Sequence, residues 1–261
     1  MKIAWHRQGR GPNVLLIHGV GGDGRNWDPI AQRLAQRFDV VAMDLRGHGG
    51  SSPIVGPLDA HELAADALHV LDETGAATSR VVGFSLGGHV AQALALDHPE
   101  RVAKLAVLGT VCGRTPQERQ RARDRIEFLR TNGLAALAEA NRERWFTDAF
   151  RRDHAELVER RVAQVKACDP HSYLEAFTVF CTADFVDRLG ELKIPNLVVT
   201  GEHDVAATPR MAQLMGERLM NWIAPQSKLR MLACDVALRA ALWPGASRVA
   251  GRVLGNPARL I

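Results

Sequence analysis

Eight residues constrain this chain more than any others: Val81-Val82-Gly83-Phe84-Ser85-Leu86-Gly87-Gly88. An apolar strand runs into a serine flanked by glycines, and a helix begins at once. This G-x-S-x-G arrangement is the nucleophile elbow, a tight strand-to-helix turn that lifts a serine oxygen above a sheet. Gly83 and Gly87 carry no side chain, so strand and helix can approach closely there. The pentapeptide also occurs in ordinary Gly-rich turns. It is the order of the surrounding elements that makes Ser85 the candidate nucleophile.

That order is strand, helix, strand, helix. Residues 2–6 read as a short edge strand, and Asn13 to Ile17 as a compact apolar one. The second strand enters His18-Gly19-Val20-Gly21-Gly22-Asp23-Gly24. The spacing fits neither a phosphate-binding loop, since no Lys follows, nor a dinucleotide fingerprint. Two readings stand: an ordinary strand-to-helix turn, or the loop that gives one backbone N–H to an oxyanion hole. On the second, Val20 supplies that N–H and Leu86 the other. Asn26-Trp27 opens a helix to about Gln36, with Trp27 either at the mouth of a pocket or in the core. Phe38 to Met43 is a strand, Leu58 to Thr74 an amphipathic helix, and Arg80 to Phe84 the strand that feeds the elbow. His48 lies between glycines and reads as a residue that ties a turn. His89, on the apolar helix after the elbow, reads as a packed or capping residue. Val102 to Leu108 is the next strand. These strands are continuous apolar runs, the pattern of parallel strands covered on both faces.

Between Gly113 and about Gly190 the texture changes to Arg, Glu, Ala and Leu with helical periodicity. Four helices are expected, near 115–131, 133–146, 153–168 and 171–184. The stretch reads as a helical lid (113–189) inserted in a core made of 1–112 and 190–261. Arg144 and Trp145 either close over a small anionic substrate or simply pack and face solvent. The strand pattern resumes at Ile194 to Thr200 and enters Gly201-Glu202-His203-Asp204. Asp204, at the carboxyl end of a strand, is placed where a carboxylate can orient a catalytic histidine.

Other function classes find little support. The net charge is +4, but residues 221–261 carry +5 of it and residues 1–220 sum to −1. No basic stripe with interleaved aromatics points to nucleic acid, and no uncharged apolar run reaches membrane-spanning length. Cys112, Cys168, Cys181 and Cys234 show no C-x-x-C spacing, so neither a zinc site nor a disulfide framework is indicated. With no apolar leader at the start, the expected setting is cytoplasmic.

The chain then departs from its own pattern. In this arrangement the partners come in the order Ser, Asp or Glu, His. The ten histidines stand at 6, 18, 48, 61, 69, 89, 98, 154, 171 and 203, and none follows Asp204. Where a closing strand and helix are expected, residues 221–261 carry a possible helix over Leu232 to Leu242, scattered Gly and Pro, and the charge shift. A shift of reading frame near codons 220–230 would account for all three facts; a divergent end on a non-catalytic relative is the alternative.

The motifs together resemble the α/β-hydrolase superfamily, and within it the 3-oxoadipate enol-lactonases. The matching residues are His18-Gly19, Trp27-Asp28-Pro29, Asp44-Leu45-Arg46-Gly47-His48-Gly49, Gly83-Phe84-Ser85-Leu86-Gly87-Gly88 and His98-Pro99-Glu100-Arg101-Val102. Arg144-Trp145-Phe146-Thr147, Thr182-Ala183-Asp184-Phe185, Gly201-Glu202-His203-Asp204 and Thr208-Pro209 extend the resemblance over about residues 1–220. It implies an α/β fold, mostly parallel, with helices over the sheet and a helical lid. It implies Ser85 as nucleophile, Asp204 as acid, and Val20 and Leu86 as oxyanion donors. The substrate implied is a small anionic enol-lactone, with neither metal nor organic cofactor. A general carboxylesterase or haloperoxidase-like hydrolase shares the same motifs and differs in its lid pocket. The family's histidine has no counterpart here.

Overall fold

The structure is a computed structural model, and it describes residues 1–219. The expectations for residues 221–261, including the frame shift and the helix over Leu232 to Leu242, lie outside the described residues.

Among the described residues six strands form one sheet: β1 (Trp5–Gln8), β2 (Asn13–Ile17), β3 (Asp39–Met43), β4 (Ser79–Phe84), β5 (Val102–Leu108) and β6 (Asn196–Val199). Their order is β1-β3-β2-β4-β5-β6, and every pairing is parallel except β1 with β3. The edge strand begins three residues later than its sequence suggests, because its pairing with β3 starts at Trp5 opposite Met43. Side chains alternate across the sheet. Leu15, Ile17, Val41, Met43 and Val81 join the large core on one face. Val14, Leu16, Val40 and Ala42 join a smaller one on the other with Trp27 and Ala31. Both faces are therefore apolar, which is why these strands show no polar alternation.

The helices cover those faces. Helix α1 (Asp28–Leu34) follows a short 3-10 turn at Gly24–Trp27 and lies over the smaller core. Helices α2 (Ala60–Glu73) and α3 (Leu86–Asp97) pack together against the larger one. The start of α2 is set by Asp59, whose carboxylate accepts from the N–H groups of His61 and Glu62, while the Glu62 side chain returns to the Asp59 N–H. Such a box holds two otherwise orphaned donors. On the same helix Asp66, almost wholly buried, accepts two bonds from Arg46 at 2.9 and 2.7 Å and so anchors the β3–α2 loop.

Between β5 and β6 the chain is helical: α4 (Pro116–Trp145), α5 (Asp148–Asp153), α6 (Ala155–Lys166) and α7 (Pro170–Thr182). Helix α4 breaks at Gly133, whose φ of 79° and ψ of 171° turn the chain back on itself. The break falls where the sequence divides 115–131 from 133–146. Helix α8 (Pro209–Arg218) follows β6.

Asp39 tests one electrostatic element of this frame. Burial opposes its ionisation, but hydrogen bonds from Arg7 (2.6 and 2.8 Å) and Asn13 (3.1 Å) outweigh that and hold the carboxyl below its ordinary value. A depressed folded value means stabilisation that is present above the unfolded value, about 3.9, and is lost as pH falls through the folded one. Asp39→Asn is therefore expected to cost about 1–2 kcal/mol at neutral pH, a range reduced for the half-exposed Arg7. Urea unfolding at neutral pH and again in acid should show the gap to wild type closing; a gap independent of pH would refute this account.

Candidate active site

Strand β3 lies on one side of β2 and β4 on the other, so the strand order reverses between β2 and β4. A crevice opens at the carboxyl ends of strands at such a point. The two loops that flank it are the Gly-rich loop after β2 and the elbow after β4. They meet closely: a Cβ on Gly19 would lie 2.9 Å from the Cβ of Ser85.

Ser85 has φ 56° and ψ −116°, and it is the one non-glycine residue with positive φ among those described. Such a conformation costs on the order of 1–3 kcal/mol and persists only where the surroundings over-determine it. Here they do. The Ser85 N–H donates to the Leu108 carbonyl at 2.8 Å. Its own carbonyl accepts from the Gly88 N–H and the Thr110 hydroxyl, both at 3.0 Å. Ser85 also stands at the N-cap of α3, whose unsatisfied N–H groups favour negative charge. Neither the Val20 nor the Leu86 N–H has a hydrogen-bond acceptor among the described residues. The Leu86 side chain is fully buried in the core, so only its backbone can serve the crevice.

Asp204 reaches the crevice from the loop after β6. Its Oδ1 accepts from the N–H groups of Ala206 and Ala207, each at 2.8 Å. Thr200 closes the base of this loop by donating its hydroxyl to the Ala207 carbonyl. Oδ2 lies 3.7 Å from the position a Gly109 Cβ would take, beside the end of β5. Ser85, Val20, Trp27, Arg144, Trp145 and Asp204 line one cavity of about 1220 Å³, between the sheet and the helices α4–α7. Trp27 is buried in the smaller core and is also among the residues that line this cavity.

Two histidines line the cavity, His18 and His154. His18 is occupied on both nitrogens. Nε2 accepts from the Leu45 N–H at 2.9 Å, which leaves the proton on Nδ1, 2.8 Å from the Gly19 carbonyl. Burial, reinforced by His48, pushes it well below the ordinary imidazole value, so it stays neutral. His48 is fixed in the same way, with Nε2 accepting from the Gly21 N–H at 3.0 Å and Nδ1 3.1 Å from the Arg46 carbonyl. These rings shape the Gly-rich loop and offer no lone pair to Ser85. His154 lies tilted against Phe150, ring centroids 4.6 Å apart, and makes no hydrogen bond to Ser85 or Asp204. His203 is exposed and does not line the cavity. His89 is packed: it is fully buried edge-on to Phe180, and desolvation, helped by Arg114, pushes it down to about 3.

The cavity wall is rich in cations. Among the described residues, eight arginines line it against three carboxylates, those of Glu118, Asp124 and Asp204. Sequence reading passed over the most informative of them, Arg161. From α6 its guanidinium donates to the carbonyls of Gly21 and, at 2.9 Å, Val20, and it lies 5.1 Å over the Trp145 ring. Gln164 extends the brace, accepting from Arg161 at 2.8 Å and donating to Asp23 at 3.0 Å. The Gly-rich loop is thus tied to the helical segment about 140 residues on. The i, i+3 spacing of Arg161 and Gln164 marked one face of a helix, but nothing in sequence said what that face would meet. Arg144, at the mouth, donates a long bond of 3.4 Å to the Val205 carbonyl and lies close enough to Asp204 to feel its charge.

A mostly parallel sheet that reverses its order between β2 and β4, with a strained serine heading the helix after β4, defines the architecture of an α/β hydrolase. The chain belongs to the alpha/beta hydrolase fold family, whose model matches residues 12–233. Several of its relatives are hydrolases by name. It is 28% identical over 210 residues to 3-oxoadipate enol-lactonase 2 of Acinetobacter baylyi, a match spanning 80% of this chain and 78% of that one. It is 32% identical over 211 residues to RutD of Caulobacter vibrioides, provisionally assigned as a carbamate hydrolase, with 80% and 78% covered. The crystal structure of the enol-lactonase from Burkholderia xenovorans superposes with a TM-score of 0.77 at 27% identity, over 84% of this chain and 85% of that one. No helix among the described residues is long and apolar enough to cross a membrane.

Proposed function

We propose that the cavity is a serine-hydrolase site for a small anionic ester or lactone, most similar in demand to an enol-lactone. The observation that carries this reading is Ser85, held in a strained conformation at the head of α3 and lining the same cavity as Val20, whose N–H, like that of the adjacent Leu86, has no acceptor among the described residues. In the reaction, Ser85 Oγ attacks the ester or lactone carbonyl. The developing oxyanion accepts from the Val20 and Leu86 N–H groups, which need no reorganisation to receive it. The C–O bond of the ester breaks and its oxygen takes a proton from water, departing as the alcohol or, in a lactone, staying tethered to the opened chain; an acyl-enzyme remains on Ser85 until water attacks it and frees the acid. Asp204 is the acid that would orient and charge-stabilise an imidazole, but these 261 residues place no histidine after it. Among the described residues no side chain is placed as a base to Ser85, so by their chemistry alone the Ser85 proton passes to water and both acylation and deacylation are slow. The helices α4–α7 act as a lid over the sheet core, and their arginines suit the negative charge of the substrate. The free thiols of Cys112, Cys168 and Cys181 suit a reducing compartment, the cytoplasm.

The missing base favours a second reading, in which the same cavity binds its ester without turnover. Incubation with an activated aryl ester of a dicarboxylic half-acid separates the two. Mass spectrometry is expected to find the acyl group on the Ser85 peptide and none in Ser85→Ala. An unmodified Ser85 peptide after prolonged incubation would leave only the binding reading.

A further inference from the structure

The break at Gly133 folds α4 so that Arg125 on its first half faces Asn141 on its second. Asn141 is fully buried and lines the cavity. Its Oδ1 accepts from an Arg125 guanidinium nitrogen at 2.6 Å. That bond fixes the amide orientation, because the flipped amide would set donor against donor. The Nδ2 group is therefore turned away from Arg125, and it has no acceptor among the described residues. A buried donor without an acceptor is costly, and native structures rarely keep one without a use. Arg125 itself has no carboxylate partner among the described residues: its plane lies over the Phe177 ring at 5.8 Å, and its one side-chain acceptor is neutral. Burial works against its charge, and so does the neighbouring Arg144. A half-buried cation and a fully buried amide donor, side by side and with no anionic partner among the described residues, lack one thing, an anion with acceptor oxygens.

We propose that Arg125 and Asn141 form a carboxylate-binding subsite in the cavity, which takes the free carboxylate of a substrate whose ester or lactone carbonyl meets Ser85. This rests on the reading of the cavity as a substrate site. One carboxylate oxygen accepts from the Arg125 fork and the other from Asn141 Nδ2. The subsite lies on a rigid helix pair, so it fixes the spacing between the carboxylate and the reacting carbonyl and selects substrates by length. Its cation is kept from pairing internally because, among the described residues, the side-chain acceptor it meets is a neutral amide.

The test is binding, measured by calorimetry on the full chain carrying Ser85→Ala so that no ester is consumed. The probes are the monomethyl esters of the linear dicarboxylic acids from succinate to suberate, each set against its dimethyl ester. One length is expected to bind at least about ten times more tightly as the monomethyl ester, the return of a charge-assisted hydrogen bond. Adding Arg125→Gln should remove that preference, with a loss of about 10- to 100-fold for the monomethyl ester. Asn141→Asp should do the same by pairing Arg125 internally and presenting a carboxylate to the ligand. Circular dichroism identifies a variant that does not fold, and Arg125→Lys then serves in its place, since it keeps the charge and loses the fork. No preference in the parent, or one that survives in the folded variants, would overturn the subsite. An acyl group on Ser85 without this preference would overturn the subsite alone; the preference without the acyl group would overturn the hydrolase reading alone.

Discussion

Set beside an intact enol-lactonase on the same activated lactone, this chain is expected to show a kcat lower by about 10⁶, and Ser85→Ala to lower it little further. The magnitude follows from subtilisin, where loss of the base alone costs about that factor and removal of nucleophile and base together costs hardly more. Nucleophile and base act as a unit, so a serine without its imidazole is already most of the way to alanine in steady-state turnover. What remains is binding and the oxyanion donors, worth roughly 10³–10⁴ over water in that system. For this chain that remainder would come from the cavity, from the Val20 N–H in the loop that Arg161 braces, and from the Leu86 N–H at the head of α3. Steady-state hydrolysis by wild type and Ser85→Ala, each against the uncatalysed rate, checks both halves. A turnover rivalling the intact relative, abolished in Ser85→Ala, would mean that some group here serves as base, and the assignment of His18 as fully occupied would be the first to fall.

The second large effect is on folding. Gly83→Ala is expected to cost at least about 3 kcal/mol, against a total of roughly 5–15 for a domain. A Cβ there would lie 2.1 Å from the Gly87 carbonyl oxygen and 2.7 Å from the Gly88 Cα. Both are backbone atoms of α3, and that helix is buried along nearly its whole length, so it cannot give way. Gly75 is the control. Its φ is +71° but nothing lies within 4 Å of its missing Cβ. There alanine pays only for the left-handed backbone, about 1–2 kcal/mol. Urea denaturation of the two variants should separate the clash from the dihedral cost. Equal losses would show that the strand and helix at the elbow are not in the contact described.

The elbow was legible because its requirement is local. A strand, a glycine, a serine, a glycine and an apolar helix can be read in one pass, and so can the break at Gly133 between two helical periodicities. Asp204 was legible from its place at the end of a strand. The roles of the histidines were only half legible. That His48 ties a turn could be expected from its glycines, but His18 offered no sign that both of its nitrogens would be taken, because its partner Leu45 belongs to the next strand's loop. Arg161 and Arg125 were hidden for the same reason. Each sits in a helix crowded with arginines, and helical periodicity does not say which cation faces solvent and which faces a cavity.

The sequence by itself determined the architecture of the strand-helix units, the candidate nucleophile and acid, and the lack of a histidine beyond Asp204, since each is a matter of residue type, spacing and order. The tertiary structure alone decided that His18 is spent, that Arg161 holds the Gly-rich loop from a helix far along the chain, and that Arg125 and Asn141 face one another unneutralised beside the cavity. Those facts depend on which distant surfaces meet, and only packing brings them together: the serine's partners are set by the folded sheet and the helices laid over it.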